Sequence, residues 1–231
     1  MNNNMKPSIK ILLLALPLLL LACGTTSRPD GAAQQSAKPA IFPDYTDVTI
    51  PHNIAPLNFR FEGEAERCYA ELKGADLIVE ASGKGEIRFS EKQWRELLEK
   101  SRGGEIELTL FTQSGGEWQQ WQPFKIYVSD RAIASHLVYR LIEPGYEKWH
   151  IVGIYQRNLE NFDQEPIIQN NMVGYNCINC HSFAGGDPEQ MMFHMRASNG
   201  GTYIVQDVEL GHTLGFLVVT DVVSQSVGQH T

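Results

Sequence analysis

Apolar and polar residues alternate with period two over much of this chain. Leu57, Phe59 and Phe61 alternate with Asn58, Arg60 and Glu62, and Ile106, Leu108 and Leu110 alternate with Glu105, Glu107 and Thr109. That period turns every apolar member of a run to one face of a strand and leaves the other face wet. Further short strands are expected at 48–50, 68–72, 77–81, 87–89, 124–128, 136–141 and 151–156. Turn signals such as Lys73-Gly74, Ser82-Gly83, Ser114-Gly115-Gly116 and Pro144-Gly145 separate them. Many short strands at near-regular spacing predict a mainly β fold, an immunoglobulin-like β-sandwich over residues 44–157. One helix interrupts it. Ser90 and Gln93 stand at capping-box spacing, Trp94, Leu97 and Leu98 form an apolar stripe, and Gly103-Gly104 ends the run.

The N-terminus has a different pattern. Lys6 and Lys10 precede the apolar run from Ile11 to Ala22, which is short for a membrane span and has the order of a signal peptide. It ends in Leu20-Leu21-Ala22-Cys23, which resembles the lipobox of bacterial lipoproteins. The resemblance implies that residues 1–22 are removed and that the Cys23 thiol is acylated, anchoring the chain to a membrane of the bacterial cell envelope. Residues 23–43, rich in Gly, Ser, Thr, Gln, Ala and Pro, then read as a flexible tether. Gly24-Thr25-Thr26-Ser27 carries no acidic cluster, which favours an anchor facing the periplasm and leaves surface exposure open.

Charge narrows the partners. The chain has 19 basic and 27 acidic residues, and loss of Lys6 and Lys10 with the signal peptide makes it more acidic still. Such a surface is a poor match for nucleic acid. The strand-rich region holds no catalytic constellation: Glu62, Glu64 and Glu66 alternate on what is most simply a solvated face. Trp118, Trp121 and Trp149 fit a ligand-binding aromatic surface or, more commonly, sandwich packing. Cys68, beside Tyr69 and Leu72, reads as a buried small apolar residue.

Residues 158–171 turn polar around Pro166 and read as a linker into a second unit, residues 158–231. That unit contains Cys177-Ile178-Asn179-Cys180-His181. Two thiols three positions apart can each add to one vinyl group of a haem, and the adjoining His181 can stand at the iron. Other uses of the pattern explain fewer of its residues. A disulfide or redox pair needs no His, a thioredoxin-type site needs a helix N-terminus, and a zinc site needs a fourth ligand. Met172, Val173, Tyr175, Ile178 and Phe183 supply apolar surface around the motif.

Ala184-Gly185-Gly186 follows, and then Asp187-Pro188-Glu189-Gln190 has the order of a helix start: N-cap, Pro at the first helical position, and Gln reaching back. A helix there would put Met191, His194 and Met195 on one face, with Met192 at its side, as candidate sixth ligands to iron. His212 or an open position are the alternatives.

The segments Asn176-Cys177-Ile178-Asn179-Cys180-His181-Ser182-Phe183, Met192-Phe193-His194-Met195-Arg196 and Gly200-Gly201-Thr202 resemble those of a group of exported bacterial proteins, chiefly from Bacteroidetes. In that group a β-rich region is followed by a cytochrome c type motif and then by Tol-type β-propeller repeats. The resemblance implies covalent haem c on Cys177, Cys180 and His181. This chain departs from the pattern by ending at Thr231 after one or two apolar strands in 214–227, so a truncated member is expected, with any propeller in a separate protein. The expected function is a membrane-anchored monohaem electron carrier or redox sensor working with redox protein partners. The alternative is a binding or scaffold lipoprotein whose Cys177 and Cys180 form a disulfide.

Overall fold

The computed structural model describes residues 27–142, 152–186, 190–206 and 219–222. Residues 1–22, expected to be a signal peptide, Cys23, Trp149 and His212 lie outside the described residues, as do Asp187, Pro188 and Glu189. The fold is mainly β, in two bodies, each with its own apolar core.

The first body contains β1 (Ala33–Gln34), β2 (Ile41–Phe42), β3 (Thr49–Pro51), β4 (Phe59–Phe61), β5 (Arg67–Gly74), β6 (Leu77–Gly83) and β7 (Glu86–Ile87). Helix α1 (Glu91–Lys100) follows, and then β8 (Glu105–Ser114), β9 (Glu117–Gln120) and β10 (Phe124–Ser129). The long strand β8 organises the main sheet. One edge pairs with β5 along its whole length, and the other pairs with β10 at one end and β9 at the other. Strands β1 and β3 add in parallel to β9 and β10, while β2, β4 and β7 form a separate three-stranded sheet.

Along β8 Glu105 and Glu107 are exposed as expected, but Thr109, expected on the wet face, is buried along with the apolar Ile106, Leu108 and Leu110. Those apolar residues meet Cys68, Ala70 and Leu72 of β5, Phe59 and Ile87 of the small sheet, and Trp94, Leu97 and Leu98 of α1. The helix stripe is thus core, as expected. Ser90 does occupy the N-cap, although no side-chain hydrogen bond closes the capping box. Cys68 is fully buried and unpaired, and burial pushes its thiol pKa up.

Residues 28–43, which composition assigns to a tether, are held against this body. The Arg28 guanidinium lies 3.2 Å from Glu71 Oε2 and 5.6 Å from the centre of the Phe111 ring. Gln35 N–H donates to Gln120 O, Gln122 N–H donates to Ala37 O, and Ile41 is buried in the core. Low-complexity composition says only that a segment has little apolar surface of its own. Backbone pairing with a sheet edge needs none.

The second body contains β11 (His136–Leu141), β12 (Gly153–Asn158), β13 (Gln164–Gln169), β14 (Cys177–Phe183), β15 (Gln190–Arg196), β16 (Gly201–Gln206) and β17 (Val219–Val222). It is a three-stranded antiparallel meander, β11-β12-β13, packed against a four-stranded one, β14-β15-β16-β17. Two expected groupings change here. Strands β11 and β12 pair with β13 rather than with the first body's sheets, so this unit starts near residue 136. The polar stretch read as a linker contains β13, with Pro166 opposite Tyr155 at a register shift. A bulge is one of the places where a strand accepts proline. Gly153 sits nearby, and a Cβ there would come within 2.2 Å of Ile168 O, so only glycine lets the two strands approach.

The bodies join through Asn53. Its amide donates to Ile133 O at 3.0 Å and to Glu160 Oε1 at 2.9 Å, and its carbonyl accepts from Ile133 N–H at 3.0 Å. Ala55 N–H adds a bond to Leu159 O.

The outer face of β5 carries the clearest ionisation effect in the fold. Tyr69 is fully buried and donates its hydroxyl hydrogen bond to Glu80. Burial first, then that bond and the negative charges of Glu80 and Glu71, push the phenol well above its ordinary value of 10. Only the unfolded chain can readily release this proton above pH 10, so the folded state binds more protons there and stability falls as pH rises. Urea unfolding followed across pH 8–12 should show this contribution intact below about pH 10 and declining above it. Tyr69→Phe should flatten the decline while losing about 1 kcal/mol at neutral pH with the hydrogen bond.

Candidate haem-attachment sheet

The chemistry-bearing residues collect on β14, β15 and β16. The expected helix over Met191–Met195 is not formed: Gln190–Arg196 is the strand β15, paired on both sides. Met191, Phe193 and Met195 point into the core at 1%, 1% and 4% exposure, packed with Ile178, Ile154 and Val205. Phe193 stacks on Tyr203 with ring centres 5.4 Å apart. Met192, His194 and Arg196 therefore face the other way, with Met192 45% exposed. A helix would have grouped Met191, His194 and Met195. The strand separates His194 from both methionines.

The three motif segments are neighbours in one sheet. Ile178 stands opposite Met195, His194 opposite Thr202, and Met195 opposite Gly201. The register between β14 and β15 slips inside the CxxCH motif. Ile178 opposes Met195 and His181 opposes Phe193, so the backbone of Asn179 and Cys180 together opposes His194. Cys177 opposes the exposed Arg196 and is half-buried, and Cys180 is exposed. Both thiols are unpaired. His181 opposes the buried Phe193 and meets the Phe183 ring edge-on at 6.4 Å, which puts it on the core-facing side of the strand. The slip thus brings the thiol strand, the bulge and His194 together, with His181 on the opposite side.

Polar bonds hold the approach to the motif. Asn176 is buried; its amide donates to Val173 O, and its carbonyl oxygen accepts from Asn199 N–H at 3.0 Å and Ser198 Oγ at 3.2 Å. It therefore pins the start of β14 to the turn between β15 and β16. Gly174 and Tyr175 are both left-handed, with φ of 65° and 62°, and Tyr175 N–H donates to Asn170 O. Tyrosine rarely adopts that conformation. Its ring is 60% exposed, as is Met172 at 62%, so the two form apolar surface beside the thiols rather than core.

Other expectations on aromatic residues resolve toward packing. Trp121 packs on Phe61 with centroids 5.4 Å apart and donates to Thr112 Oγ1 at 3.0 Å, and Trp118 is half-buried on β9. Among the described residues no three His, Cys, Asp or Glu side chains converge as a metal-ion site. No helix there is long and apolar enough to cross a membrane.

The outer face gathers only part of the donor set expected for haem, since His181 is on the other side. It offers two unpaired thiols at CxxC spacing, and one imidazole, His194, whose Nδ1 lies 3.3 Å from Thr202 Oγ1. An apolar cavity of about 230 Å³, lined by Ser182, Phe183, Met191, Met192 and Ile204 among others, opens further along the same strands. Sequence reading missed two contributors, Asn176 and Thr202. Asn176 adjoins the motif and Thr202 ends a Gly-Gly-Thr turn, but neither has a chemical role until the strands are paired. No protein family, curated protein or solved structure matches the chain.

Asn176→Ala should lower stability by about 2 kcal/mol, because it removes a buried side chain together with its hydrogen bonds to Val173 O, Ser198 Oγ and Asn199 N–H. Hydrogen exchange should show the loss concentrated in residues 173–181 and 197–202, and alkylation of Cys177 should become faster.

Proposed function

We propose that this chain is a monohaem c-type redox protein of the bacterial cell envelope, anchored through lipid on Cys23, that passes single electrons between transiently docked protein partners or reports redox state. The observation that carries the reading is a CxxCH segment whose two thiols are unpaired and reachable on an edge strand of a packed sheet. Haem c would supply the one-electron couple. Cys177 and Cys180 would hold it by thioether bonds, and an imidazole from His181 or His194 would stand at the iron. The packed core behind β15 keeps these residues in place between oxidation states, which limits reorganisation. Exposed Tyr175 and Met172 beside the thiols would give a partner an apolar contact close to the haem edge. One haem suits one-electron exchange through transient contact rather than a long conduit.

The N-terminal body fits a sandwich-like support in which the seven-stranded and three-stranded sheets enclose the core. The docked segment from Arg28 onward would then hold that support near the membrane, because Arg28 is only five positions after Cys23. Five extended residues span about 17 Å.

The full chain, exported from cells with a cytochrome c maturation system, should give a c-type reduced pyridine haemochrome spectrum that survives acid-acetone extraction. Cys177→Ser with Cys180→Ser should abolish it. Exported, folded protein without covalent haem would overturn the proposal and leave a binding lipoprotein as the better description.

A further inference from the structure

We infer that His194 is an axial ligand of the proposed haem, presented from the outer face of the β14–β16 sheet and oriented by Thr202; the inference rests on the haem reading above. The alternation of β15 selects it. Met191 and Met195 are committed to the core on the opposite face, so among the described candidates on this strand the outer face offers His194 and the exposed Met192. His194 is the one whose position is set by a side-chain partner. It stands opposite Thr202 in the β15–β16 register, with Nδ1 and Oγ1 3.3 Å apart. With its proton on Nδ1, the imidazole donates to the threonine hydroxyl and keeps its Nε2 lone pair for a metal. Ligating histidines are commonly held this way, the second ring nitrogen bonded to an acceptor that fixes tautomer and ring orientation.

The thiols lie on the adjoining strand at the same level. The β14 bulge sets Asn179 and Cys180 together opposite His194, so the second attachment point and the imidazole are cross-strand neighbours. Met192, two positions along the same face, and Ile204, two positions from Thr202, line an apolar cavity further along the same strands. His181, on the core-facing side of β14, does not share this face.

The test uses full-length protein exported with c-type maturation, compared with His194→Ala, His194→Met and Thr202→Val. Haem content is read by pyridine haemochrome and ligation by visible and electron paramagnetic resonance spectra. The wild type should carry the visible and electron paramagnetic resonance signature of an imidazole nitrogen on the iron. His194→Ala should keep its haem, lose that signature and regain it when imidazole is added. His194→Met, which keeps a side chain of similar bulk if alanine impairs folding, should replace nitrogen ligation by a methionine signature. Thr202→Val should keep the nitrogen ligation with its midpoint potential shifted upward, because the imidazole loses its hydrogen-bond acceptor and donates less to the iron. A role confined to folding would change haem content or melting temperature without imidazole rescue. A haem-loaded His194→Ala protein with the wild-type spectrum, or a wild type without nitrogen ligation, would overturn the assignment while leaving the haem reading intact. A wild type without covalent haem would overturn both.

Discussion

The side-chain alternation of β15 is the constraint on which the second body depends. Once Met191, Phe193 and Met195 pack against the facing meander, the intervening Met192, His194 and Arg196 have only the outer face left to them. A slip of one residue would exchange the two sets, exposing three large apolar side chains and burying an arginine. The energetic gap between those registers is several kcal/mol, since each fully buried Met or Phe contributes about 1.5–3 kcal/mol. Register is therefore strongly specified, and with it the neighbours of His194. Strand β14 adapts by a bulge rather than by displacing β15.

Polar side chains finish what apolar packing leaves open. Asn176 binds the start of β14 to the β15–β16 turn, and Asn53 performs the same service between the bodies. Each bonds through both its amide donor and its carbonyl acceptor to separate segments, so each acts as a directional lock. In contrast, the ion pair of Arg28 with Glu71 has a half-exposed guanidinium and adds little on its own. Its significance is positional: with the β1–β9 pairing, it makes the segment from Arg28 part of the body. The left-handed Tyr175 and Ala197 are evident expenses in this region, one just before the thiols and one in the turn that Asn176 holds.

Much of the first body was legible in the residues themselves. Period-two runs at 57–61 and 105–110 and the stripe of Trp94, Leu97 and Leu98 carry enough periodic signal to identify strands and a helix, because one face of each must be buried. The CxxCH pattern was likewise legible as chemistry, since reactive residue types at fixed spacing need no tertiary information to be recognised. The strand at 164–169 was not: Pro166 and its polar neighbours mimic a linker, and only pairing with β12 shows an edge strand with its own bulge, where proline is accepted. Residues 28–43 misled in the same way, because edge pairing uses backbone groups common to every residue.

The ligand candidates mark the division most clearly. Asp187-Pro188 before Gln190 has the form of a helix start, and Met191, His194 and Met195 satisfy helical spacing. The same seven residues also satisfy strand spacing through Met191, Phe193 and Met195, and a short apolar run cannot distinguish the two. The sequence by itself determined which atoms are available: two thiols, the imidazoles of His181, His194 and His212, and several thioethers. Tertiary structure alone decided which of them share a face, because that depends on pairing β15 between β14 and β16 and burying one side of it against a second sheet.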